Sequence, residues 1–161
     1  MDLTDHTSAL VERLAATDQR LVLAESCTGG LIAATLTTIP GVSSWLAGSL
    51  VVYQEASKQK WLGVAEETLQ EHTAVSAPVA HQMVTGALSA TPHADVAGAV
   101  TGHLGPGAPV GQDGWVFIGV GRRGHPPQVR GMQLEKAKRI ARQREAAIAV
   151  VGELCELLER Q

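Results

Sequence analysis

Residues 26–28 are serine, cysteine and threonine in a row, and Gly29 and Gly30 follow at once. Three side chains capable of nucleophilic attack thus stand just behind the apolar run Leu21–Ala24, where a strand gives way to a helix. A hydroxyl at such a junction can cap the helix, bind a phosphate or attack an electrophile, and the residues alone leave all three open. Glycine lets backbone approach backbone closely, and the N–H groups of a helix's first turn attract an anion or a developing oxyanion. Attack further requires a base, because a serine hydroxyl is a weak nucleophile at neutral pH. The six histidines, His6, His72, His81, His93, His103 and His125, form no recognisable acid–base pattern.

A different base is on offer in Val-Val-Tyr-Gln-Glu-Ala-Ser-Lys, where Tyr53, the chain's only tyrosine, and Lys58 lie just past a second apolar run. A lysine desolvated beside a strand end can shed its proton near neutrality. The plainer alternative is a lysine that snorkels to solvent beside Lys60. Cys27 is a rival nucleophile, since a helix N-terminus lowers a thiol's pKa. Neighbouring residues leaving a strand point in opposite directions, so only one of Ser26 and Cys27 can face Lys58.

Periodicity places the elements that must hold these groups. Leu10, Val11 and Leu14 recur at helical spacing, behind Thr4 or Asp5 as N-cap. Residues 20–25 read as a short buried strand, 31–39 as a helix closed by Pro40-Gly41, and 49–53 as a second buried strand. Residues 54–64 and 66–72 read as short helical turns, the first ending at Gly63, and Pro78 suits the first turn of a helix over 78–90. Residues 95–102 and 114–121 read as strands, and 128–134 as a weaker one at an edge. A long final helix is expected from residue 135, with Ile140, Ala147, Val151, Leu154 and Leu158 on one stripe. Strands interleaved with helices predict a three-layer α/β/α sandwich. The hairpin-like stretch 114–134 adds antiparallel pairing to a mixed, mostly parallel sheet. One domain over residues 1–161 is expected.

Composition narrows the function classes. Hydrophobic residues make up 45% and charged residues 18%, an ordinary globular balance. A net charge of −3 gives no electrostatic footprint for nucleic acid, and 3% aromatics leave little with which to stack bases. Cys27 and Cys155 stand far apart with no metal-ligand or Cys-x-x-Cys spacing, which reads as reduced thiols in a cytoplasmic protein. The acidic, polar start Met-Asp-Leu-Thr-Asp-His does not read as a signal peptide, and no apolar run reaches the ~20 residues of a membrane helix. Gly119-x-Gly121-x-x-Gly124 has the dinucleotide-binding spacing. Pro126 and Pro127 forbid the helix that would receive the pyrophosphate, so it reads as a turn.

Residues 23–64 carry a set of motifs in order: Ala-Glu-Ser-Cys-Thr-Gly-Gly, Pro-Gly-Val-Ser-Ser, Tyr53-x4-Lys58 and Leu62-Gly63-Val64. Val75, Ser76 and Pro78 follow, then Thr101-Gly102-x-x-Gly105-Pro106. This pattern resembles the CinA C-terminal domain family, over nearly the whole chain. The resemblance implies hydrolysis of the carboxamide of nicotinamide mononucleotide to nicotinic acid mononucleotide and ammonia, with neither metal nor cofactor. It implies Ser26 as nucleophile, Lys58 as general base and Tyr53 as their hydrogen-bonding partner. It further implies Thr28, Gly29, Gly30, Thr101, Gly102 and Gly105 around the substrate. A homo-oligomer is also expected, since relatives are typically homo-oligomeric and Trp45 and Trp61 fall in segments that read as exposed.

Three departures from the family pattern bear on the ligand. His103 replaces an apolar residue and Leu104 a small one in a loop meant for close backbone contact, which narrows the expected site unless His103 turns to solvent. The family's Gly-Asp-Arg before the last helix is missing, and Lys136, Lys138, Arg139 and Arg142 cluster there instead. That cluster reads as a solvated face, or, because cations oppose the dipole at a helix start, as the neighbourhood of a bound anion. Finally, Thr73 stands where the family has glycine and Ala77 where it has an acidic residue.

Overall fold

The computed structural model describes residues 1–160, which form one five-stranded sheet between two layers of helices. The strands are β1 (Leu21–Glu25), β2 (Leu46–Val51), β3 (Val96–Gly102), β4 (Trp115–Arg122) and β5 (Gln128–Gln133). The α-helices are α1 (Leu3–Thr17), α2 (Leu31–Leu36), α3 (Glu55–Leu62), α4 (Glu66–His72), α5 (Ala77–Ala90) and α6 (Arg139–Glu159). Spatial order is β2-β1-β3-β4-β5. β1 pairs in parallel with both β2 and β3, while β4 pairs antiparallel with β3 and β5, so β4 alone runs against the others. The expected mixed, mostly parallel α/β/α sandwich is what forms.

The central strand shows why. In β1, Leu21 and Leu23 join the core under α1, α2 and α6, whereas Val22 and Ala24 join the core under α3, α4 and α5. Alternate residues of a strand face opposite sides, so an uninterrupted apolar run is the sequence of a strand covered on both faces.

Four details differ from expectation. The cap of α1 is Asp2, which accepts from the Asp5 amide at 2.9 Å while Asp5 accepts from the Asp2 amide at 3.0 Å, a reciprocal box at three-residue spacing. β2 is an edge strand and only half-buried, and it begins three residues earlier than the apolar run 49–53 implied. Apolar content marks a strand but not its place in the sheet. In α6, which begins at Arg139, burial of apolar side chains starts only at Ala146, and Ile140 stands 71% exposed. Trp45 packs against the core, whereas Trp61 is 54% exposed.

The position of α3 is set by a close approach. A Cβ built on Gly86 of α5 would lie 1.9 Å from the Leu62 carbonyl oxygen at the end of α3. Only glycine admits that contact, and it seats α3 against α5.

Candidate active site

The three neighbouring parallel strands deliver the site at their carboxyl ends, where open α/β sheets bind ligands. Ser26 follows β1, Tyr53 follows β2 and Thr101 lies near the end of β3. Between them opens a cavity of about 270 Å³. Ser26 and Lys58 lie in it, with residues 101–108 as one wall and Tyr53 and Arg139 as another.

Ser26 is 7% exposed, and its amide extends the ladder to the Val100 carbonyl at 3.1 Å. Lys58, on the first turns of α3, is 2% exposed. Its Nζ lies 2.9 Å from Ser26 Oγ and donates to the Val52 carbonyl at 3.0 Å. Among the described residues no carboxylate lines the cavity. Burial therefore dominates and pushes the Lys58 ammonium below its ordinary value, against smaller opposing pulls from Cys27 and Glu55. Nζ donates to Oγ in this contact, and loss of a proton from the amine would let Ser26 Oγ–H donate back to Nζ. The alternative of a lysine snorkelling beside Lys60 does not hold.

Cys27 turns into the core on the α1, α2 and α6 side, and burial pushes its thiol up to about 12. At neutral pH it is a protonated packing residue, and the helix terminus does not offset the lost hydration.

Glu25, which sequence reasoning passed over, governs what the Ser-Cys-Thr-Gly-Gly turn can do. Its carboxylate, 1% exposed, accepts from Thr28 Oγ1 at 2.8 Å, Ser49 Oγ at 2.8 Å, the Ile32 amide at 3.0 Å and the Ala33 amide at 3.2 Å. The protein's own carboxylate thus occupies the N-terminus of α2, so the expectation of an external anion there is corrected. Thr28 spends its hydroxyl on Glu25, and Thr28, Gly29 and Gly30 do not line the cavity. The two glycines serve geometry instead: φ is +61° at Gly29 and +99° at Gly30, so the chain turns sharply enough for α2 to fold back onto Glu25. A glutamate closing a buried strand was the available signal.

Thr101, Gly102 and Gly105 do line the cavity. Thr101 Oγ1 donates to the Ala74 carbonyl at 2.8 Å and ties β3 to the α4–α5 connection. A Cβ on Gly102 would meet Val116 Cγ1 at 2.4 Å, so this glycine admits β4 alongside. Leu104 is 2% exposed and joins the core, so the bulkier side chain is absorbed by packing, while His103 borders the cavity.

Tyr53 does not bond to Ser26 or Lys58. Its hydroxyl accepts from Arg139 Nη2 at 2.6 Å, and Arg139 Nη1 donates to the Gly105 carbonyl at 2.8 Å. The basic cluster before α6 thus divides. Arg142 is structural: it grips both Asp113 carboxylate oxygens at 2.8 Å and donates to the Leu104 carbonyl at 3.0 Å and the Lys136 carbonyl at 2.7 Å. That fork pins the loop between β3 and β4 against the start of α6. Arg139 faces the cavity. Among the described residues no group of three His, Cys, Asp or Glu side chains could hold a metal ion, and no helix is long and apolar enough to cross a membrane.

Comparison with known proteins agrees with this architecture. The family model for the CinA C-terminal domain matches residues 3–158, and the chain belongs to that family. A CinA-superfamily protein from Klebsiella pneumoniae superposes with a TM-score of 0.94 at 29% identity, covering 100% of both chains. A CinA-like protein of Mycobacterium marinum is 46% identical over 119 residues, 70% of this chain but 28% of its own length. The chain thus spans less than a third of such relatives. The nicotinamide-nucleotide amidohydrolase PncC of Enterobacter agglomerans is 51% identical over 83 residues, 52% of this chain and 50% of that protein.

Proposed function

We propose that this protein is an amidohydrolase that cleaves the carboxamide of nicotinamide mononucleotide, releasing nicotinic acid mononucleotide and ammonia. The observation that carries this reading is the buried 2.9 Å contact between Ser26 Oγ and Lys58 Nζ, in a cavity that no carboxylate of the described residues lines. A neutral amine held against a hydroxyl is an activated nucleophile. The likeness to PncC, partial as it is, supplies the substrate class.

In the proposed reaction, Lys58 Nζ takes the proton of Ser26 as Oγ attacks the carboxamide carbon. The carbonyl π bond opens onto oxygen, where the charge develops beside Cys27, the one residue of the turn after Ser26 that borders the cavity. The intermediate collapses as the C–N bond breaks and the Lys58 ammonium protonates the departing nitrogen, giving ammonia and an ester at Ser26. Water then attacks the ester, Lys58 accepts one of its protons and returns it to Ser26 Oγ, and the product leaves as a carboxylic acid that gives its proton to solvent. Lysine thus performs both proton transfers that histidine performs in other serine hydrolases.

Ammonia release from the mononucleotide tests the reading. Ser26→Ala should lower turnover on the order of 10⁶-fold, by analogy with nucleophile removal in serine hydrolases. Lys58→Met should lower it ~10²- to 10⁴-fold, the range for a general base. Ammonia release that persists in Ser26→Ala, or is absent with every pyridine carboxamide tried, overturns it.

A further inference from the structure

We infer that Arg139 is the residue that selects substrates carrying a phosphomonoester, binding the phosphate at the cavity mouth while the carboxamide reaches Ser26. This rests on the amidohydrolase reading and extends it to specificity. Of the four cations between residues 136 and 142, Arg139 alone lines the cavity. Its two bonds go to neutral oxygens, the Tyr53 hydroxyl and the Gly105 carbonyl, and among the described residues no carboxylate pairs with it. Arg142, three residues on, has its charge met by Asp113 and its fork filled.

The charge pattern along the cavity then has a direction. Ser26 and Lys58 lie buried, and burial drives Lys58 toward its neutral form. Tyr53 and Arg139 stand exposed on the rim, so the unpaired guanidinium is the permanent charge a ligand meets there. A neutral amide head with an anionic tail matches that polarity. A guanidinium presents five donors in a planar fork, so it can exchange the Gly105 and Tyr53 oxygens for two phosphate oxygens while Tyr53 supplies a further donor.

The test uses Ser26→Ala protein, which cannot turn ligand over, and calorimetric titration with nicotinamide mononucleotide, nicotinamide riboside and ribose 5-phosphate. The mononucleotide should bind ~10- to 100-fold more tightly than the riboside, the worth of a charge-assisted pair. Adding Arg139→Gln should remove most of that ratio and abolish competition by ribose 5-phosphate. Arg139→Lys should restore part of it, and Arg144→Gln, an exposed arginine on α6 outside the cavity, should leave it intact. A mononucleotide-to-riboside ratio unchanged by Arg139→Gln, with thermal melting showing a folded variant, overturns the inference, as does failure of all three ligands to bind. If Arg139 controls phosphate affinity but the unmodified protein releases no ammonia, the specificity assignment stands and the amidohydrolase reading falls. Equal ammonia release from mononucleotide and riboside leaves the amidohydrolase reading standing and sinks this one.

Discussion

Replacing Gly86 by alanine should damage both stability and catalysis, although the residue lies on α5, away from the cavity. Two effects oppose each other. Alanine in a helix interior is favoured over glycine by roughly 0.5–1 kcal/mol. Against that, the new Cβ would fall 1.9 Å from the Leu62 carbonyl oxygen, with the Leu62 carbonyl carbon at 2.7 Å and Cα at 2.9 Å. Those are backbone atoms and cannot rotate away, so α3 must retreat by ~1 Å, a strain of the overpacking kind worth about 1–3 kcal/mol. The penalty wins. For a domain of this size each kcal/mol lowers Tm by about 2–4 °C, so a fall of several degrees in a circular-dichroism melt is expected.

The functional consequence follows from Lys58, one helical turn before Leu62 on α3. Its 2.9 Å contact with Ser26 would stretch beyond hydrogen-bond reach, and a misplacement of this size can lower kcat ~10²-fold. Ammonia release measured at a temperature where the variant remains folded separates the two effects. A Gly86→Ala protein that keeps both its Tm and its kcat would refute the claim that this approach seats Lys58.

Further outcomes follow from the same geometry. Because burial lowers the Lys58 pKa, the neutral base should accumulate as pH rises through a midpoint below the ordinary lysine value of 10.5, so kcat/KM should climb along that limb, and the limb should vanish in Lys58→Met. Cys27, its thiol held at about 12, should resist alkylation by iodoacetamide in the folded protein at pH 7–8, and modification there with loss of activity would contradict its packing role. Glu25→Gln keeps shape but removes acceptor capacity from a carboxylate serving two amides and two hydroxyls, and should destabilise by about 2 kcal/mol or more in denaturant titration. Thr73 adopts φ +66° and ψ +169°, a region natural to glycine, so Thr73→Gly should raise stability by ~1 kcal/mol; unchanged or lower stability would mean the strain is not stored there.

The elements and the layer arrangement were legible in the pattern of apolar and polar residues. Uninterrupted apolar runs at 21–24 and 96–100 dictated strands covered on both faces, and alternation with helical stretches dictated a sandwich. The same pattern also put Ser26 and Lys58 forward, each beside the end of an apolar run. What those groups became depended on packing between distant segments. Glu25 and the amides of α2 are close in sequence, yet their bonding depends on how far two positive-φ glycines fold the helix back. Lys58 loses water because α3 is pressed in by a glycine 28 positions away, and Arg139 and Arg142 part company because Asp113, on a distant loop, reaches only one of them. Local propensity is set by residues within a turn or two, whereas hydration, charge pairing and proton affinity are set by whichever chain segments packing brings alongside.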